Sequence, residues 1–196
     1  LKKEARKITG GLSKPSKMPG PAHNLPAQAC ITGAKLVKVP GSVCAGCYAL
    51  KGRYRFPNVQ DALQRRLQAL QDPRWVDAMV TLITGQPCFR WHDSGDIQSP
   101  EHLKNIFEVC KRTPGTRHWM PTREVKFLKL MDPAVIPTNL ILELFTYDKP
   151  GTSQTLAMDV DCVNEAWRQD MRSPRPGQRM QGLPGVLGPR RSQHML

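Results

Sequence analysis

No run in this chain approaches the roughly 18 consecutive apolar residues that a membrane span needs, and its first seven residues are mostly charged, so a soluble, cytoplasmic protein without a membrane partner is expected. Cysteine is sparse. Six thiols unevenly spread over 196 residues do not make the disulfide framework of a small secreted domain, which leaves metal binding or reduced thiols. Acidic residues are also few, 16 against 29 Lys and Arg, giving a net charge of +13. Such an excess invites phosphate binding through counterion release. Its distribution argues against specific nucleic-acid recognition: residues 1–20 and 168–196 each carry six basic and one acidic side chain, supplying +10 and leaving +3 for the middle. Aromatic residues, at 6 %, form no stacking series among the central basic residues. The expectation is a nearly neutral domain between basic ends, whose tails offer at most non-specific contact with nucleic acid.

Residues 30–47 hold the strongest chemical signal. Cys44 and Cys47 form a C-x-x-C knuckle, in which one short turn presents two thiolates to one metal, and Gly46 lets backbone amides approach the sulfurs. Pro40 and Gly41 allow the chain to fold back so that Cys30 joins them. Three thiols leave one coordination position open. The pattern admits an iron-sulfur cluster, structural zinc, or redox or inert thiols; His23 is the residue able to close a zinc site as fourth ligand.

Length suits one domain. Residues 1–21 read as an irregular basic lead-in, because Gly10, Gly11, Pro15, Pro19, Gly20 and Pro21 interrupt any period. Residues 22–150 form the domain, and residues 151–196 read as a variable, largely disordered basic tail. Within the domain, Asn58 is placed to cap a helix that buries Val59, Leu63, Leu67 and Leu70 and leaves Arg65 and Arg66 outside. A second helix follows Pro73 and buries Trp75, Val76, Met79, Val80 and Ile83 before Gly85. Residues 87–91 then read as a strand, Ser99 opens a helix burying Leu103, Ile106, Phe107 and Cys110, residues 116–120 form a second strand, a short helix begins near Thr122, and residues 139–145 form a third strand. Alternation of this kind predicts an α/β fold with a parallel sheet and right-handed crossovers.

Loops at the carboxyl ends of parallel strands carry active sites. Here those loops contain His92, Asp93, Ser94, Gly95 and Asp96 after the first strand, and Arg123 and Glu124 after the second, and the cysteine loop is expected to open toward the same rim. His92, Asp93 and Asp96 are candidates for a general base, metal ligands or amine binding, and Arg123 and Glu124 for holding a carboxylate or a ribose. His118 reads as a buried, hydrogen-bonded histidine, Cys88 and Cys110 as core thiols, and Cys162 has no assigned role.

The runs Leu25-Pro26-Ala27 to Cys30, Gly33-Ala34-Lys35-Leu36, Cys44-x-x-Cys47-Tyr48-Ala49, Lys51-Gly52-Arg53-Tyr54, the segment at 89–96 and that at 119–124 together resemble the gene product 88 family of bacteriophage proteins. The layout also resembles compact radical S-adenosylmethionine enzymes. That resemblance implies a partial (β/α) barrel-like sheet, a [4Fe-4S] cluster on Cys30, Cys44 and Cys47, and an open iron facing S-adenosylmethionine. Its reductive cleavage gives a 5'-deoxyadenosyl radical that acts on an unknown small-molecule or nucleotide substrate, in the cytoplasm of an infected host cell. In that reading Asp93, Asp96 and Glu124 serve catalysis, while His92, Ser94, Gly95, Arg123 and Tyr48 bind the cofactor. This sequence departs from the radical-enzyme spacing: thirteen residues separate Cys30 from Cys44, and the aromatic Tyr48 follows the last cysteine. The family resemblance further implies a terminal cysteine cluster followed by Trp, where residues 171–196 are instead rich in Arg, Pro and Gly. With permissible codons, residues 181–189 read from each codon's second base as Lys-Ala-Cys-Arg-Ala-Cys-Trp-Asp-Pro, so the tail is expected to be a frameshifted remnant, which sequencing the encoding DNA decides.

Overall fold

Short apolar strands alternating with helices that each bear one apolar stripe can bury both surfaces only by packing in layers. The computed structural model, which describes residues 1–15, 19–145 and 153–156, has that form. Helices α3 (Pro57–Ala69), α4 (Trp75–Ile83) and α5 (Pro100–Arg112) accompany strands β2 (Cys88–Trp91), β3 (Arg117–Thr122) and β4 (Leu140–Phe145), as the apolar spacing predicts. The Ser99 hydroxyl caps α5 by accepting from the His102 amide at 3.0 Å, and Pro100 fills its first turn. Helix α3 begins two positions earlier than expected: Phe56 is its cap and Pro57 its first residue, because proline's fixed φ already suits a helical start, and Asn58 lies inside.

Two departures concern the ends. The lead-in, expected to be irregular, contains helix α1 (Lys2–Thr9), which Gly10 ends at φ 73, and strand β1 (Ala22–His23) follows directly after it. Its residues are good helix formers, and Ala5 and Ile8 pack against Ala78 and Leu82 of α4. In the span expected as disordered tail, strand β5 (Ser153–Leu156) pairs with β4. An outer strand carries backbone groups in need of partners, and β5 supplies them. Most of that span, with Cys162 and the shifted-frame reading of 181–189, lies outside the described residues.

The sheet runs in chain order, β1-β2-β3-β4-β5. Its first four strands are parallel, with His23 opposite Trp91, Phe89 opposite His118 and Trp119 opposite Ile141, and β5 is antiparallel. Trp75, Met79 and Ile83 of α4, Leu103, Ile106 and Cys110 of α5, and Phe89, Trp91, Met120 and Leu142 of the sheet form the core. Cys88 and Cys110 are buried thiols, as expected. His118 also meets its expectation: Trp91 Nε1 donates to its Nδ1 at 3.2 Å, so Nε2 holds the proton, facing Thr113 Oγ1 at 2.9 Å. Among the described residues, no helix is long and apolar enough to cross a membrane.

Candidate functional site

Parallel pairing brings the carboxyl ends of β1, β2 and β3 to one rim, so Asn24 and Leu25, residues 92–96, and Arg123 with Glu124 lie side by side. The cysteine segment departs from the end of β1 and returns to this rim. It lacks a sustained apolar period and is broken by Gly and Pro, so only short turns form: α2 (Ile31–Leu36) and the 3₁₀ turns Val43–Gly46, Tyr48–Leu50 and Gly52–Arg55. Ser42 fastens the knuckle by donating to the Leu36 carbonyl at 2.6 Å and accepting from the Ala45 amide at 3.0 Å.

Two of the rim acids, Glu124 and Asp93, each hold a piece of this loop. Glu124 is fully buried; its Oε1 accepts from the Thr32 amide at 2.6 Å and its Oε2 from the Thr32 hydroxyl at 2.8 Å, with Lys126 Nζ at 3.3 Å. Asp93 meets Arg90 Nη1 at 3.0 Å and accepts from the Tyr54 hydroxyl at 2.5 Å, while the Tyr48 hydroxyl donates to its backbone carbonyl. Asn24 completes that cluster by accepting from the Asp93 amide at 3.0 Å. Burial pushes the Tyr48 phenol up to about 12, and the Asp93 charge adds to the effect, so Tyr48 stays a donor. Asp96 joins the two rim loops: Oδ1 accepts from Thr122 Oγ1 at 2.6 Å and Oδ2 from the Arg123 amide at 2.9 Å. Burial pushes its carboxyl up to about 6, against the pull of those three donors, the Ile97 amide included.

The remaining residues of the loop at 92–96 pack rather than project. Ser94 Oγ donates to the Leu25 carbonyl at 2.9 Å, and Gly95, at φ 78, lets the chain pass Leu25. His92 adopts φ 58, is buried against Trp91 and His102, and has no hydrogen-bond partner at either ring nitrogen among the described residues. Burial holds its pKa well below the usual imidazole value.

The three cysteines are half-buried and form no disulfide. Gly33 adjoins two of them: a Cβ there would sit 3.6 Å from Cys44 Sγ and 3.7 Å from Cys30 Sγ, so both sulfurs border the space that its missing side chain leaves. Burial pushes the Cys30 thiol up to about 12, with Asp96, Cys47 and Cys44 adding to it. Cys44 is raised by burial too, although Arg123 hydrogen-bonds it and opposes the shift. Thiolates are the donor type that iron or zinc takes, and a bound cation would offset the rise that burial imposes on these thiols. Among the described residues, however, no group of three or more His, Cys, Asp or Glu side chains already has metal-binding geometry. Metal binding here requires the thiols to turn toward one point. His23 is fully buried on β1 against Trp75 and Trp91, with burial and then Arg66 and His102 lowering its pKa; no cysteine is among its perturbing groups.

Fold and site together define a mixed α/β protein in which a cysteine loop is clasped to the carboxyl rim of a parallel sheet. A family model described as Gene product 88 matches residues 1–176, and the chain belongs to that family, the bacteriophage family its motifs resemble. No curated protein and no solved structure matches it. The clamp partners Thr32 and Asn24 gave no sequence signal, because their bonds reach 92 and 69 residues along the chain. Tyr54 stood in a recognised run, but only the fold reveals its bond to Asp93.

Proposed function

We propose that this chain is a phage-type iron-sulfur protein in which Cys30, Cys44 and Cys47 hold a [4Fe-4S] cluster beside Gly33 and the adjoining rim binds a small molecule, in the manner of radical S-adenosylmethionine enzymes. The observation that carries the reading is that the sulfurs of Cys30 and Cys44 both border the position where Gly33 has no side chain. When bound, such a cluster supplies electron transfer and an open coordination position. The chain's own residues supply placement: Glu124 fixes the turn after Cys30, Asp93 fixes Tyr48 after Cys47, and Arg123 holds Cys44 and presents a cation beside it for a carboxylate. Asp96, with its carboxyl near 6, is poised to hold or release a proton near neutral pH.

Anaerobic reconstitution with iron and sulfide tests this reading. A brown, visible-absorbing protein with about four irons per chain is expected. Loading should be lost in Cys30→Ser, Cys44→Ser and Cys47→Ser, reduced in Gly33→Ala, and kept in Cys88→Ala. A colourless protein carrying one tightly held zinc, or iron that persists in all three Ser variants, sinks it.

A further inference from the structure

Asp93 also lines a separate cavity of about 280 Å³, bounded by the first turns of α3, the Tyr54 ring and residues 13–15. Its charge is one-sided. Lys14, Arg53 and Arg66 line it, and no carboxylate among the described residues forms an ion pair with any of them. The one acid present, Asp93, is already compensated by Arg90 at 3.0 Å and by the Tyr54 hydroxyl at 2.5 Å.

Arg66 gives the strongest indication. The helical pattern puts it on the outer face of α3, yet it is only 8 % exposed. Its stem lies against Gly10, where a Cβ would stand 2.9 Å from Arg66 Cγ, and its Nε donates to the Gly11 carbonyl at 2.8 Å. That is its only side-chain hydrogen bond among the described residues, and Arg66 lines the cavity. An arginine whose Nε is already fixed on the Gly11 carbonyl loses little freedom when an anion arrives. Asn58 and Asn24 add amides to the lining, and Leu63, Val59 and Ala62 add apolar surface.

We propose that this cavity binds a small organic phosphate, with the phosphate held by Arg66, Arg53 and Lys14 and the apolar portion against Leu63 and the Tyr54 ring. Three cations without a free carboxylate match a phosphate monoester, which carries nearly two negative charges at neutral pH and several acceptor oxygens, better than a singly charged carboxylate. The size suits a compact ligand, at the small end of ordinary binding pockets. The inference stands apart from the cysteines, since it uses none of them.

Phenyl phosphate titrated into the full chain at low salt, followed by calorimetry and amide NMR shifts, tests the site. One saturable site is expected, with shifts at Arg53, Asn58 and Arg66 and affinity about tenfold above benzoate or inorganic phosphate, the difference a charge-assisted hydrogen bond makes. Arg53→Ala and Lys14→Ala should each weaken it by about tenfold, while Lys14→Arg retains it. Benzoate binding equally well, or affinity unchanged in both Ala variants, overturns the proposal. Cys44→Ser should lose metal and keep phenyl phosphate, so failure of this site and failure of the cluster reading give different results.

Discussion

A methyl group on Gly95 would stand 2.5 Å from Leu25 Cβ and 2.8 Å from the Leu25 carbonyl oxygen, in a backbone already at φ 78. Gly41 has nearly the same φ, 79, but nothing within 4 Å of a Cβ. The pair separates strain from space. Gly41→Ala should cost about 1 kcal/mol through the left-handed backbone alone, whereas Gly95→Ala should cost roughly 2–4 kcal/mol because Leu25 must also move. Urea unfolding of the two variants measures the difference, and equal midpoints would show that Leu25 yields freely. His92 shares the left-handed region without being glycine, a conformation in which histidine is over-represented. Together these two residues turn the loop after β2 so tightly that Ser94 and Asp96 meet backbone groups of neighbouring segments, which no reading of residue types alone reveals.

Among the elements, α2 depends on a group outside itself. Six residues do not make a stable helix in water, and its first turn is held by the two oxygens of Glu124. Glu124→Gln removes one acceptor and the charge opposite Lys126, and should destabilise this contact by about 1–3 kcal/mol. Hydrogen exchange should then quicken at the α2 amides with little change in α5; uniform quickening would assign Glu124 to global stability instead. The same comparison marks what the sequence revealed. Helices α3 to α5 and strands β2 to β4 were legible because each buries an apolar stripe with its own period, and the shared rim followed from parallel pairing. Helix α1 was not, because a charged composition hid a stripe as narrow as Ala5 and Ile8. Nor were the duties of Asp93, Asp96 and Glu124: local pattern marks them as a polar cluster, while their partners are set by tertiary approach. Arg66 was misplaced for a related reason, since its burial depends on Gly10 and Gly11 arriving from a helix the sequence did not disclose.

For the whole molecule, four buried histidines govern the response to acid. Burial depresses His23 and His102 to about 3 and His118 to about 4, and holds His92 well below 6.5. Below pH 6.5 the unfolded chain therefore takes up protons that the folded one refuses, and stability falls as pH drops toward those values. Asp96 works in the opposite sense: its raised carboxyl favours the folded state below about 6 and loses that contribution as pH rises through 6. With roughly three protons net, stability should decline by roughly 4 kcal/mol per pH unit near pH 5. Urea midpoints at about pH 7.5 and about pH 5 check this, and a midpoint unmoved by acid would mean these rings are not held neutral. The clasp of Glu124 on Thr32 has a consequence in time as well, since its partners stand 92 residues apart. At ribosomal speeds of about 5–20 residues per second, Cys30 waits on the order of 5–20 s after synthesis before Glu124 exists to secure it. Throughout that interval the nascent thiols meet oxidants and metal donors without the folded rim to guide them, so the order of translation and loading becomes part of how the loop acquires its final state.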